Sequence, residues 1–149
     1  MNLHARAVEF VFERSLAQIA DGCRYILSGI REHRVNRTEE PDGALHFVMP
    51  FHDDVVGRPG YLHGGAIAGL LEFAAFTALR RALGDEAVEM KPVTVTVDYM
   101  RGGTPQDTYA EAVIERLGKR LANVEAFAWQ GERAKPIAAA RINFLLERP

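Results

Sequence analysis

The spacing of hydrophobic residues changes along the chain, and each change predicts a structural element. Apolar residues from Val8 to Ile19 recur at helical spacing with charged residues between them, which predicts an amphipathic helix within residues 1–22. Asp21-Gly22 ends this segment, because glycine is favoured just past the end of a helix. The chain is therefore expected to begin with a helix that packs one face across a sheet or an opening.

The following segment, up to Phe51, has the composition of β-strands. Pro41-Asp42-Gly43 predicts a tight turn, since proline restricts φ and glycine tolerates a positive φ. This turn separates a polar segment around Ile30–Thr38 from the largely apolar run Ala44–Met49. We therefore predict a β-hairpin in this part of the chain.

The central stretch from Gly65 to Leu83 is apolar on every side of a helical projection. Such a helix is expected to be buried, because no face is left for water. The stretch Gly65–Leu83 would be roughly 28 Å long as a helix, which requires a large surrounding surface. With its start included, the predicted helix covers residues 63–83.

The last third of the chain predicts strands. Residues Val93–Met100 alternate between apolar and polar with a period of two. Three more strands are predicted at Thr108–Leu117, Leu121–Gln130 and Ile137–Leu146. Gly118-Lys119 is expected to form a type II′ turn between the first two of these. The element order predicts an α+β fold in one domain, 1–149, with an antiparallel sheet, including a four-strand meander, curled around the central helix.

Composition excludes several classes of function. The 149 residues include 48% hydrophobic and 26% charged side chains with a net charge of −2, which lacks the basic character of a nucleic-acid-binding protein. No segment reaches the ~20 apolar residues of a membrane helix. Charged residues interrupt the N-terminal apolar pattern, unlike a signal peptide. The expected location is the cytoplasm, with no membrane partner.

Metal chemistry is not expected either. The single Cys23 can form no internal disulfide framework and no cysteine-based zinc site. The histidines outside the central segment show no metal-ligand spacing; they are His4, His33, His46 and His52. We therefore assign no metal and no separate cofactor.

Two features of the central helix indicate chemistry. Glu72 is the single ionisable side chain within Ala66–Leu79, and a carboxylate in an apolar interior costs several kcal/mol unless it is paired or protonated. His63-Gly64-Gly65 stands immediately before the apolar helix, where backbone N–H groups have no intrahelical acceptor and favour an anion or a developing oxyanion. Taken singly, Glu72 is also compatible with a structural carboxylate whose hydrogen bonds are made, and the glycines are compatible with a tight entry into the helix. Together, the carboxylate and the helix-start N–H donors suit attack on a carbonyl group.

These two features do not meet within one chain. Eight residues of helix separate Gly64 from Glu72, which is ~12 Å along the axis. A site that uses both groups therefore predicts a homodimer, in which each chain supplies its N–H donors to the carboxylate of the other.

The segment Leu62-His63-Gly64-Gly65, followed by an apolar helix with Glu72, resembles the hotdog-fold acyl-CoA thioesterases of the phenylacetate-degradation type. The resemblance covers the element order from about Val35 to Leu146. It implies a long helix wrapped by a curved antiparallel sheet, in dimers or tetramers, and hydrolysis of an acyl-CoA across the dimer interface. The implied roles are a Gly64 oxyanion donor, a His63 that orders the loop, a substrate-contacting Gly65, and Glu72 as nucleophile or general base. Glutamate at the acid position is typical of the hydroxybenzoyl-CoA subgroup, whereas many phenylacetate-type enzymes carry aspartate.

The chain departs from the family at three supporting positions. Many relatives carry Asn or Gln six residues before the histidine, where this chain has Gly57. Some carry Thr one turn after the acid, where Phe76 stands. Others carry a hydroxyl at the start of the next strand, where this chain has Pro92, with Thr94 two residues further on. Gly57 and Thr94 are therefore expected to line the substrate site without these supporting groups.

Because CoA carries phosphates, the resemblance also implies a cationic rim. Arg101-Gly102 at the end of the strand Val93–Met100 is the first candidate, since relatives often have a basic residue there. Lys119-Arg120 and Arg80-Arg81 are the alternatives.

The sequence thus predicts an acyl-CoA thioesterase that uses Glu72 and Gly64. A hotdog protein that binds an acyl thioester without hydrolysing it is the second hypothesis, and a hydroxyacyl dehydratase is the third.

Overall fold

A computed structural model describes residues 36–149, and the predicted N-terminal helix within 1–22 lies outside the described residues. The described elements are strand β1 (Asn36–Glu39), β2 (Leu45–Met49), a 3₁₀ turn (Asp53–Val55), helix α1 (Gly64–Leu83), β3 (Glu89–Tyr99), β4 (Thr108–Leu117), β5 (Leu121–Trp129) and β6 (Pro136–Glu147). Most predicted elements agree with this order, including the hairpin at the turn 41–43 and the helix 63–83.

The strands form one six-stranded antiparallel sheet in the order β1-β2-β4-β5-β6-β3. The predicted four-strand meander was wrong in one strand pairing. Strand β3 pairs with β6 at the far edge of the sheet and not with β4. Hydrophobic alternation specifies the face of the sheet on which each side chain lies, but it does not specify which strand lies next to it. The loop of residues 100–107 carries the chain from that edge back to β4.

The turn between β4 and β5 also differs from its prediction. The Gly118 N–H donates to the Leu121 carbonyl at 2.9 Å, so Lys119 and Arg120 occupy the centre of the turn. Gly118 is not among the glycines with positive φ, which a type II′ turn requires at its first central position. The predicted type II′ turn was therefore wrong, while the hairpin itself is present.

Small side chains let α1 approach the sheet. The helix-facing positions of β5 and β6 include alanines that are at most 1% exposed, namely Ala122, Ala126, Ala128, Ala138 and Ala140. Larger side chains fill the space beside them, and Phe47 of β2 meets Phe73 of α1 edge to face with ring centroids 5.2 Å apart. A helix against a curved antiparallel sheet is the hotdog fold, as predicted.

The sheet covers only one side of α1 within a single chain. A narrow stripe runs along the other side and is half-buried; we call it the α1 stripe, and it consists of Gly65, Ala68, Gly69, Glu72 and Phe76. The sequence pattern predicted burial on every side. The helix α1 is only partly buried because the sheet of one chain reaches around only part of it.

No helix among residues 36–149 is both long enough and apolar enough to cross a membrane.

Candidate active site at the start of the central helix

His63 determines the geometry of the start of α1. It lies in an extended conformation at the N-cap, and its Nδ1 accepts a hydrogen bond from the Gly65 N–H at 2.9 Å. Because Nδ1 is an acceptor, a neutral imidazole here carries its proton on Nε2. The His63 N–H donates to the Val55 carbonyl at 2.8 Å, which attaches the helix start to the 3₁₀ turn.

The Gly64 N–H is the donor that this arrangement leaves over. The His63 carbonyl accepts hydrogen bonds from the Ala66 and Ile67 N–H groups at 3.0 and 3.3 Å. With the Gly65 N–H on the His63 ring, the Gly64 N–H is the one donor of the first turn with no acceptor among residues 36–149. An unpaired N–H at the positive end of a helix dipole is suited to bind an anionic oxygen.

Tyr99, at the end of β3, covers one side of this glycine. Its hydroxyl donates to the Gly64 carbonyl at 2.8 Å, and a Cβ at position 64 would lie 3.3 Å from the ring. Burial raises the pKa of Tyr99, so the phenol stays protonated and able to donate at neutral pH. Tyr99 was not among the predicted site residues, although it is the member of the alternating set Val93, Val95, Val97 and Tyr99 that carries a polar group at its tip.

The loop before the helix is a short, well-defined hairpin. Val56 and Leu62 form an isolated antiparallel bridge, and the Gly57 N–H donates to the Tyr61 carbonyl at 3.0 Å. A Cβ at Gly57 would lie 3.0 Å from the His63 Cα. The position where relatives carry an amide side chain is therefore a close backbone contact in this protein.

The loop after β3 packs against that hairpin. The Leu62 N–H donates to the Gly103 carbonyl at 2.8 Å, and a Cβ at Gly102 would lie 2.6 Å from the Tyr61 ring. Arg101 is exposed and donates from Nη1 to the Pro136 carbonyl at 2.6 Å. The structure thus brings the predicted residues Arg101 and Gly102 to the loop that precedes the helix start.

Glu72 lies further along α1, in the half-buried α1 stripe. The continuous helix keeps it ~12 Å along the axis from Gly64 of the same chain. Burial raises the pKa of Glu72, and no charged neighbour or hydrogen bond among residues 36–149 offsets this effect. A desolvated carboxylate of this kind is a stronger base than an exposed one.

Thr94 is not brought to the helix side of the sheet in one chain. It pairs with Asn143 across the sheet, and Asn143 accepts a 2.6 Å hydrogen bond from Asn123 on the outer face. A register shift between Pro92 and Thr94 precedes it, after which Val95 and Tyr99 take the helix-facing positions. The structure therefore gathers the predicted site residues His63, Gly64, Gly65, Gly57, Arg101 and Gly102, with Glu72 and Thr94 apart from them.

The alternative cationic residues have other surroundings. Arg80 donates to the carbonyls of Gly84, Glu86 and Val88, so it terminates the C-terminal end of α1. Arg81 pairs with Glu39 at 2.7 Å. Lys119 and Arg120 lie in the β4–β5 turn. Within residues 36–149 no group of three His, Cys, Asp or Glu side chains could hold a metal ion.

The raised pKa of Glu72 predicts a pH-dependent effect on stability. Between the ordinary carboxyl pKa and the raised one, the folded protein binds more protons than the unfolded chain, so stability falls as pH rises through this interval. Glu72→Gln removes the charge at nearly constant volume, and we expect a higher urea midpoint than wild type at about pH 8, with the difference lost at about pH 4. Urea denaturation at both pH values and equal protein concentration measures this; an equal difference at both values would contradict it.

The chain is similar to proteins of one known superfamily. A family model described as the thioesterase superfamily matches residues 59–137. A Chromobacterium violaceum protein of known structure is 35% identical over 95% of this chain and 97% of its own, with a TM-score of 0.65. No match was found among curated proteins.

Two further structures share the fold. A Bacillus halodurans protein crystallised with CoA has a TM-score of 0.73 and 21% identity over 100% of this chain and 97% of its own. A variant of a Staphylococcus aureus thioesterase enzyme has a TM-score of 0.69 and 20% identity over 80% of this chain and 98% of its own. Since the family model spans more than half of the sequence, including the helix start and Glu72, the chain belongs to the thioesterase superfamily.

Proposed function

We propose that the protein hydrolyses an acyl-CoA thioester to a free acid and CoA, as do hotdog thioesterases of the phenylacetate-degradation and hydroxybenzoyl-CoA types. The observation that carries this proposal is the Gly64 N–H, which has no acceptor among residues 36–149 at a helix start flanked by glycine. Attack on a thioester carbonyl creates a tetrahedral oxyanion, and a fixed backbone donor stabilises that charge as it develops.

Glu72 supplies the complementary group. As a general base it removes a proton from water while the oxygen attacks the carbonyl carbon; the C–S bond then breaks, and the proton passes to the departing CoA sulfur. As a nucleophile the Glu72 carboxylate would instead attack the carbonyl carbon, the C–S bond would break with release of the CoA thiolate, and water would hydrolyse the resulting acyl anhydride to the free acid. Desolvation supports either role, because it raises the pKa of the Glu72 carboxylate and so its basicity.

The proposed site needs two chains. Gly64 and Glu72 are ~12 Å apart along one helix, which is too far for both to contact one thioester carbon.

The exposed edge of strand β3 supports a homodimer. β3 is an eleven-residue edge strand, and its side chains Val93, Val95 and Tyr99 are 55%, 39% and 53% exposed. A long edge with exposed apolar side chains favours pairing with another strand. A second copy there would cover the α1 stripe and bring its helix start towards Glu72; a dimer of such dimers is compatible with this arrangement.

The comparisons support a CoA substrate and a role for Glu72. The B. halodurans relative was crystallised with CoA. The S. aureus thioesterase has been solved with a glutamine and, separately, a glutamate fifteen positions later replaced by alanine. The same interval separates Gly57 from Glu72 in this chain. Arg101 is exposed beside the hairpin, which supports it as a candidate for the rim that binds the CoA phosphates.

Replacing Glu72 distinguishes catalysis from binding alone. We expect Glu72→Gln to lower kcat for thiol release by roughly 10²–10⁴-fold, because a positioned general base contributes about that much. Binding of the acyl-CoA, measured by calorimetry, should remain within a few-fold of wild type. Release of thiol by the variant at the wild-type rate would contradict a catalytic role for Glu72. An acyl-CoA panel that binds to wild type without thiol release would favour the non-hydrolysing alternative, and enoyl product without thiol would favour a dehydratase.

The backbone donor can be removed at the first helical position. Gly64→Pro deletes the N–H, and proline fits the first residue of a helix after the extended His63. We expect kcat to fall by roughly 10²–10³-fold, as for other oxyanion donors. Gly64→Ala is the matched control, since it brings the same Cβ towards Tyr99 and keeps the N–H. Equal losses in both variants, measured by steady-state thiol release, would assign the effect to steric contact instead.

Mixed dimers test whether the site spans two chains. A heterodimer of one Glu72→Gln chain and one Gly64→Pro chain, each with its own affinity tag, contains one intact pairing of Gly64 and Glu72 if the two groups come from different chains. We expect isolated heterodimers to regain about half of the wild-type kcat per dimer, with both parent homodimers at the low residual rates predicted above. No recovery in heterodimers of verified composition would place both groups in the same chain.

A further inference from the structure

The hairpin that precedes α1 ends in a rigid turn. The Tyr61 N–H donates to the Arg58 carbonyl at 3.0 Å, with Pro59 and Gly60 between them and Gly60 at a φ of 81°. This is the pattern of a type II turn, in which proline restricts the second position and glycine supplies the positive φ of the third. Arg58 and Tyr61 are therefore held at opposite ends of a single turn.

The turn fixes the Arg58 side chain against an aromatic ring. The guanidinium carbon lies 4.1 Å from the centroid of the Tyr61 ring, which is cation–π contact. The ring itself is held by Gly102, because a Cβ there would come within 2.6 Å of it. Two loops thus hold one exposed arginine in a defined position beside the helix start, which lowers the entropy that a ligand must remove.

The charge of Arg58 is not neutralised within the described part of the chain. Four other arginines pair with carboxylates: Arg81 with Glu39, Arg133 with Glu111, Arg141 with Asp98 and Arg148 with Glu86. No such ion pair forms at Arg58 within residues 36–149, and its contact to the Tyr61 ring leaves the planar N–H donors of the guanidinium available. Asp54 of the nearby 3₁₀ turn lies 3.8 Å from His52 Nδ1.

We propose that Arg58 binds a phosphate group of the CoA nucleotide, with Tyr61 as the platform that orients it. The inference rests on the proposed acyl-CoA substrate and adds a contact remote from the reacting carbon. A guanidinium presents N–H donors in a planar fork that matches two phosphate oxygens. Arg101 precedes Gly102, whose backbone lies against the Tyr61 ring. The Nη1 of Arg101 donates to the Pro136 carbonyl, so Arg58 has more N–H donors available for a phosphate than Arg101 has.

Substrates that differ only in their phosphates test this assignment. The acyl group is kept constant on CoA, on dephospho-CoA, which lacks the 3′-phosphate, and on pantetheine, which lacks all phosphates. We expect Arg58→Gln to raise KM for acyl-CoA roughly tenfold, since a charge-assisted hydrogen bond contributes about that factor. KM for acyl-pantetheine should match that of wild type. An effect retained on dephospho-CoA assigns the contact to the pyrophosphate, and an effect lost there assigns it to the 3′-phosphate.

Control variants separate charge from structure. Arg58→Lys keeps the charge without the planar stack, so its KM for acyl-CoA should lie between those of Arg58→Gln and wild type. Arg116→Gln removes another exposed arginine, which pairs with Asn123 on the outer face of the sheet, and should leave all three KM values unchanged. Equal changes in KM on phosphate-bearing and phosphate-free substrates would overturn the proposal.

Binding of free CoA makes the test independent of turnover. Titration calorimetry with CoA, dephospho-CoA and pantetheine should show roughly tenfold weaker binding of CoA to Arg58→Gln than to wild type, and no difference for pantetheine. If wild type releases no thiol from any substrate but shows this pattern, the proposed hydrolysis fails while the phosphate contact stands. If wild type does not bind CoA, or binds it as well as Arg58→Gln does, the phosphate contact is wrong.

Discussion

The hydrogen bond from the Gly65 N–H to the His63 ring is the interaction on which the site depends. One residue satisfies most of the first turn, because its ring accepts one N–H and its carbonyl accepts two more. The Gly64 donor is left over as a result and lies at the positive end of the helix dipole. The N–H of the same histidine binds Val55, so the helix start and the preceding loop form one unit.

Close contacts to glycine hold the surroundings of that donor. Side chains at Gly57, Gly64 and Gly102 would lie 3.0 Å from the His63 backbone, 3.3 Å from Tyr99 and 2.6 Å from Tyr61, respectively. Glycine at position 57 allows this close approach to the His63 backbone. In the proposed acyl-CoA site, backbone donors and the arginines of the two adjoining loops would orient the substrate.

The half-covered helix connects stability with the proposed function. The alanines of β5 and β6 let the sheet pack tightly on one side of α1, while the α1 stripe is left for another surface. Glu72 lies in this stripe, where desolvation raises its pKa and makes its ionised form costly in the folded protein.

Local sequence determined the elements and the chemistry that the chain carries. The apolar run that ends at Leu83 specified a helix, and the alternation of Val93–Met100 specified a strand. The isolated Glu72 and the glycines after His63 specified a carboxylate and a helix-start donor. These features were predictable because each pattern acts over a few residues.

Tertiary structure decided what long-range packing controls. The pairing of β3 with β6, the outward position of Thr94, the contact of Tyr99 with Gly64 and the seating of Arg58 over Tyr61 all join residues whose proximity no local pattern encodes. Strand neighbours and loop contacts depend on how the whole sheet closes around the helix, and hydrophobic periodicity carries no information about that closure.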